Sequence, residues 1–229
     1  MGAVISTSGY RYIIQRMTLL FVFAVILFVA AGTLRWLRAW IWVVFTLFLE
    51  TGTLITLAKR APETLKQRGT WHVGVKTFDK VFMVCWLALS LIAPVVAGLD
   101  NRFAWSHMPM ATLYCGVVLV TLVWPLATWA MIENEHFEQL VRIQMDRAHH
   151  VVTSGPYQIV RHPGYAGAIV GTLSTPLILG TWCTFIPVGA IILLFLIRTV
   201  LEDRTLRKEL EGYEAYTQKT RYRLLPGVW

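Results

Sequence analysis

Long apolar runs separated by short polar stretches dominate the chain. Residues 17–34 form the first, uncharged and bracketed by Arg16 and Arg35, and residues 39–58 the second, with one carboxylate at Glu50. Residues 81–99 and 108–132 follow, carrying Pro94 and Pro125 respectively. A membrane-spanning helix needs about 20 apolar residues, so each run predicts one span. The last run, 163–197, holds 35 residues without a charged side chain. As one helix it would measure about 52 Å, too long for a bilayer core. Gly180 near its midpoint predicts a turn and a hairpin of two legs. Gly164, Gly167 and Gly171 along the first leg would admit a close neighbouring backbone. The expectation is an all-α polytopic membrane helix bundle of about six apolar legs, the last two a hairpin.

Composition agrees. The hydrophobic share is 56% and the charged share 15%, with ten Trp and eight Tyr suited to two membrane interfaces. The net charge of +8 raises the question of nucleic acid, but the basic residues alternate from loop to loop. With both termini in the cytoplasm, 18 of the 21 Lys and Arg fall on that side, leaving Arg35, Arg38 and Arg102 outside. Anionic lipid is then the electrostatic partner and no nucleic acid is expected. Cys85, Cys115 and Cys183 lie in apolar segments without a CxxC pair and read as buried small hydrophobes. The first apolar stretch is long enough to remain as a span, and no cleavable signal peptide is evident. Residues 59–80 form a basic loop with Trp71 and room for a short interfacial helix. Residues 198–218 are expected to continue the last leg as an amphipathic helix. Residues 134–147 read as a solvated connector.

Reactive polar side chains crowd together in one place, residues 149–167 (HHVVTSGPYQIVRHPGYAG). Gly155–Pro156 marks a turn, and Pro163 suits the first turn of a helix, with Arg161 and His162 directly before it. Such a helix mouth attracts anions. Arg198 and Glu202 stand four apart on one helix face, the spacing of an ordinary ion pair. Glu50, ionisable within a span, either lines a cavity or pairs with a neighbouring helix. His136, His149, His150 and His162 show no zinc-binding helical spacing and no nearby Cys, so no metal is expected.

The run from His150 to Tyr157 and then Arg161-His162-Pro163-x-Tyr165-x-Gly167 resembles the signature of the isoprenylcysteine carboxyl methyltransferase family. These are integral-membrane enzymes that use S-adenosylmethionine and are related to phospholipid N-methyltransferases. Arg198, Glu202 and Asp203 resemble the family's Arg-x-x-x-Glu-Glu, with Asp203 one methylene short. Gly212-Tyr213-x-x-Tyr216 and Tyr222-Arg223-Leu224-Leu225-Pro226-Gly227 resemble its tail. The resemblance covers roughly the last 80 residues and implies a division into 1–132, four membrane spans, and 133–229, a catalytic region with the cofactor motif, the hairpin and an amphipathic tail.

It further implies methyl transfer from S-adenosylmethionine to a lipophilic acceptor drawn from the bilayer, such as the carboxylate of a prenylated cysteine or related lipid. By resemblance Arg161, Arg198 and Glu202 serve catalysis and substrate positioning. His150, Val152, Gly155, Tyr157, His162, Tyr165 and Glu202 would contact the cofactor. A multi-pass location in a bacterial inner membrane is implied, its site facing the cytoplasm. Two alternatives stay open. Membrane sterol reductases, which use NADPH, share the Arg-His-Pro-x-Tyr element, although their tail usually reads Tyr-Gly-x-x-Trp. A non-catalytic binding or transport protein is the other.

Overall fold

The computed structural model describes residues 5–70 and 74–229, and among these it contains helices and turns but no strand. Helix α1 (Thr7–Ala31) opens at Ser6, whose hydroxyl accepts from the Gly9 amide, a cap worth about 0.5–2 kcal/mol. It closes at Gly32, whose φ of 65° satisfies two terminal carbonyls. Among the described residues, helices α2 (Leu37–Arg60), α4 (Thr77–Phe103), α5 (Met110–Glu133) and α7 (Phe185–Glu209), with α1, are the five long and apolar enough to cross a membrane. α6 (Pro163–Leu179) is a sixth apolar leg, shorter at 17 residues. The expected hairpin is therefore present: Gly180, at φ 80°, ends α6, and α7 starts five residues later.

The helices outrun the apolar runs. α1 begins ten residues before residue 17 and α7 continues to Glu209, because helical hydrogen bonding does not stop where hydrocarbon does. The amphipathic continuation is interrupted at Leu210–Gly212, and α8 (Tyr213–Lys219) starts in a new direction. The interfacial helix expected in the basic loop is α3 (Pro62–Arg68); Trp71 lies outside the described residues.

α5 on α6 is the most extensive helix pairing. A Cβ at Gly167 would stand 2.9 Å from the Ala127 Cβ and 3.2 Å from its backbone nitrogen, so only glycine permits this approach. A Cβ at Gly164 would stand 2.5 Å from the Phe137 ring, whereas Gly171 meets Trp124 at an ordinary 3.8 Å. Glu50 both pairs with Arg16 of α1 and lines a cavity, so its two readings hold together. The three cysteines are free but less buried than expected, Cys115 exposed and the others half-buried, because a bundle in lipid turns apolar side chains outward.

The chain ends sort into two groups. At one end Asp100 accepts from the Ser106 amide and hydroxyl at 2.8 and 2.6 Å and from the Cys183 amide at 3.3 Å, tying α4 to the hairpin turn. At the other, the start of α1, α3, the start of α4, residues 134–162 and the tail gather. The site lies here.

Candidate functional site

Two cavities meet at this end. One, of about 400 Å³, runs through the bundle and is lined mainly by apolar side chains of α1, α2, α4, α5, α6 and α7. The other, about 110 Å³, is a polar cleft between residues 134–152, the start of α6, and α7 with the tail. Phe137, Glu138, Gly164, Tyr165 and Arg198 line both.

The cleft brings together His150, Val152, Tyr157, Arg161, His162, Tyr165, Arg198 and Glu202. Of the residues anticipated from the motifs, only Gly155 is not on its wall. Its backbone is left-handed at φ 54°, and a Cβ there would lie 2.9 Å from the Glu133 carboxylate, so its close approach is to protein rather than to the cleft.

Arg198 is buried and pairs directly with Asp79 rather than with Glu202. Its Nε lies 2.7 Å from Asp79 Oδ1, and its Nη2 donates to Asp79 Oδ2 at 3.0 Å and to the Gln139 carbonyl at 2.7 Å. The guanidinium lies over the rings of Phe82 and Tyr165, 4.3 and 5.1 Å from their centroids. Glu202 instead accepts a short hydrogen bond from the Tyr165 hydroxyl. The spacing of Arg198 and Glu202 suggested a mutual pair; each has found a partner from another helix, because both sides of α7 are packed.

Arg161 meets an internal anion. Its Nε and Nη2 donate to Asp203 at 2.8 and 3.2 Å, and its Nη1 donates to the carbonyls of Thr220 and Arg221 at 2.8 and 2.7 Å. His162 Nε2 is 3.5 Å from the same carboxylate, and its ring stacks on Tyr165, centroids 5.6 Å apart and planes 5° off parallel. His162 holds the N-cap position of α6, though its side chain makes no capping bond. Asp203 thus supplies the negative charge expected at this helix mouth. It also accepts from Arg223 at 3.1 Å and from the Tyr213 hydroxyl at 3.1 Å.

The tail motifs now have a spatial reason. The amides of Arg161 and His162 donate to the carbonyls of Tyr222 and Arg223, both at 2.9 Å. Tyr216 donates to the Tyr157 carbonyl at 2.6 Å, and Asn134 donates to the Tyr157 hydroxyl at 3.2 Å. Burial raises the phenol pKa of Tyr157 and pushes that of Tyr216 up to about 12, so both stay neutral donors.

Residues 134–147 are no solvated connector. His136, Val141, Arg142 and Gln144 are buried. Arg142 clamps the segment, donating to Glu138 twice at 2.8 Å and to Asp146 at 2.7 Å. His136 Nδ1 lies 3.2 Å from Gln144 Oε1 and its Nε2 3.3 Å from His150 Nδ1. Glu135, His136 and His150 each place one ligand atom within 4.8 Å of the others, a spacing at which they could hold a cation. Burial lowers the His136 pKa; burial, His136, His150, Arg142 and Arg147 together lower that of His149 to about 4.

Asp79 and Gln139 escaped the reading of motifs, whereas Asp203 stood in one as the shorter counterpart of a glutamate, with no role assigned to it. Asp79 sits 119 positions from Arg198, and the only hint was a carboxylate in the first turn of a span.

A bundle of apolar helices with a polar cleft at the exit of its last hairpin defines the class, an integral-membrane protein of the multi-pass kind. Residues 111–208 match the sequence model of the Isoprenylcysteine carboxyl methyltransferase (ICMT) family. The chain is 27% identical over 135 residues to a protein-S-isoprenylcysteine O-methyltransferase B of Arabidopsis thaliana, covering 57% of this chain and 66% of the relative. It is 25% identical over 109 residues to a probable protein-S-isoprenylcysteine O-methyltransferase of Oryza sativa subsp. indica, covering 46% and 57%. The chain thus spans between 57% and 66% of the length of these curated relatives. The family match includes residues 149–167, Arg198 and Glu202 and leaves out Asp79 and the tail.

Proposed function

We propose that this protein transfers a methyl group from S-adenosylmethionine to the carboxylate of a lipophilic acceptor, of the S-prenylcysteine kind, at the cytoplasmic face of the membrane. The observation that carries the reading is the junction of an apolar cavity and a polar cleft across Tyr165 and Arg198. A lipid-soluble acceptor and a water-soluble donor need such a meeting point. The basic character of this end, by the positive-inside rule, supports its facing the cytoplasm.

The walls of the cleft suit the cofactor in chemistry. Tyr157, Tyr165, Tyr213 and Tyr216 supply aromatic surface for a nucleobase or a sulfonium, with cation–π attraction of about 0.5–2 kcal/mol. Glu202 offers a carboxylate for an ammonium, and Asn134 and His150 offer polar atoms. Its volume, about 110 Å³, is below the roughly 300 Å³ at which ligand pockets begin, so entry requires residues 134–152 to move outward.

When bound, the cofactor supplies a sulfonium methyl group, which a carboxylate takes up as a neutral ester while sulfur keeps the electron pair, so no proton has to move. The protein's task is then alignment and exclusion of water. Arg198, paired with Asp79 and bonded through Nη2 to the Gln139 carbonyl, borders both cavities and would face an anionic acceptor. Tyr165, fixed by Glu202 and stacked on His162, sets the wall between the two reactants. Arg161 acts as a positioning residue, holding the tail closed through Asp203.

Calorimetry of the purified protein with S-adenosylmethionine, S-adenosylhomocysteine and NADPH tests the reading, followed by transfer of labelled methyl to an N-acetyl-S-farnesylcysteine. Binding of both adenosyl compounds and label in a base-labile ester are expected. Binding of NADPH alone, or no transfer, overturns it.

A further inference from the structure

Arg68, the last residue of α3, stands outside the family-matched region and outside every motif. Its Nε donates to the Tyr12 hydroxyl at 2.9 Å, and its guanidinium lies over the rings of Tyr12 and Phe137, 5.0 and 5.3 Å from their centroids. Its Nη1 is buried without a hydrogen-bond partner, and among the described residues Arg68 forms no ion pair. The other arginines of the large cavity differ, since Arg16 is paired with Glu50 and Arg198 with Asp79. A buried cationic N–H left without an acceptor is costly, and an anionic ligand removes that cost.

The position of Arg68 says which ligand. It lines the apolar cavity, and Phe137, against which it packs, lines both cavities. Gln139 links it to the junction: its side-chain amide donates to the Arg68 carbonyl at 2.6 Å, and its own carbonyl accepts from Arg198 at 2.7 Å. An acid group at the head of an apolar tail, lying in the large cavity near Phe137, would come within the province of both arginines. We propose that Arg68 binds the carboxylate of the lipophilic acceptor and makes the site selective for an acid over its ester. This rests on the methyl-transfer reading for the identity of the acceptor, while the selectivity is measurable without turnover.

The test uses the full chain in phosphatidylcholine nanodiscs and a fluorescent S-farnesylcysteine as free acid and as methyl ester. The unaltered protein should bind the acid about tenfold or more tightly than the ester, the effect of one charge-assisted hydrogen bond. Arg68→Ala should erase that preference and raise the acceptor KM by a similar factor, while S-adenosylhomocysteine affinity stays within about twofold. Arg68→Lys should restore part of the preference, which a purely structural role against Tyr12 would not require. Equal binding of acid and ester by the unaltered protein overturns the proposal, and needs no variant to fold. So does retention of the preference by Arg68→Ala, or a dependence on Arg68 seen only when phosphatidylglycerol is added. Absence of methyl transfer with acid preference intact would sink the enzymatic reading alone.

Discussion

Asp79 of α4 and Arg198 of α7 form an ion pair at 2.7 Å, with the Asp79 carboxylate fully buried and also accepting from the Val141 amide at 2.6 Å. One carboxylate thereby fixes a guanidinium that borders both cavities and a backbone segment, 139–141, that covers their junction.

Asp79→Ala should leave Arg198 with an uncompensated buried charge, a loss of about 3–5 kcal/mol. Thermal unfolding in detergent would register this as a clear drop in midpoint. The double variant Asp79→Leu with Arg198→Met should regain much of the stability and none of the methyl transfer. Were the double variant as unstable as the single, the pair would not be the cause.

The hub at Asp203 predicts a different loss. Asp203→Asn removes the charge that faces Arg161, His162, Arg207 and Arg223. The tail should then detach, on the order of 3–5 kcal/mol for a broken buried pair. Trypsin should cut after Arg221 and Arg223 faster than in the unaltered protein, and S-adenosylhomocysteine affinity should fall as the Tyr213 wall loosens. Unchanged cleavage would mean the tail is held by its backbone hydrogen bonds alone.

Tyr165→Phe separates stacking from hydrogen bonding. The ring that lies on His162 and under Arg198 remains, and the hydroxyl bonded to Glu202 is lost. Stability should change by about 1 kcal/mol or less, the net worth of an ordinary hydrogen bond. The methyl-transfer rate should fall by about a hundredfold if misalignment follows. Full activity in both Tyr165→Phe and Glu202→Gln would remove these two from the reaction.

The spans were legible because hydrocarbon thickness acts on composition alone, so apolar length at 17–34 or 81–99 was enough. Their ends were not, since Ser6 and Gly32 set the limits of α1 through capping geometry. The cleft residues were legible as a set because His150 through Tyr165 lie within one short polar stretch. What they touch was not. Arg161 reads as a ligand for anions, and it is one, but the anion is Asp203, 42 positions on. Arg198 and Glu202 obey helical spacing, yet pairing is decided by what packs beside α7. Residues 134–147 show no periodicity, so their burial depends on partners that sequence does not name.

Filling the large cavity should separate acceptor from cofactor. Ala168 lines that cavity and not the cleft. Ala168→Trp should raise the acceptor KM or abolish its binding, while calorimetry with S-adenosylhomocysteine stays within about twofold. Overpacking costs about 1–3 kcal/mol, so the variant should still fold. If acceptor binding survives intact, the acceptor does not use this cavity.

The closed form of 134–152 should weaken in acid, and the sign follows from His149. Its pKa falls from the ordinary 6.5 to about 4 in the folded segment, through burial first and then the charges of His136, His150, Arg142 and Arg147. Above about pH 6.5 the imidazole is neutral whether the segment is closed or open, and pH has no leverage. Between 6.5 and 4 an opened segment takes up a proton that the closed one refuses, so falling pH favours opening. His136, shifted in the same direction, adds to this. Hydrogen–deuterium exchange, corrected for intrinsic rates, should show protection of 134–152 level above about pH 7 and declining towards pH 4. His149→Asn should flatten that decline, since the asparagine takes up no proton over this range. Protection that stays level down to pH 4 in the unaltered protein would show that His149 titrates as freely in the closed segment as in the open one.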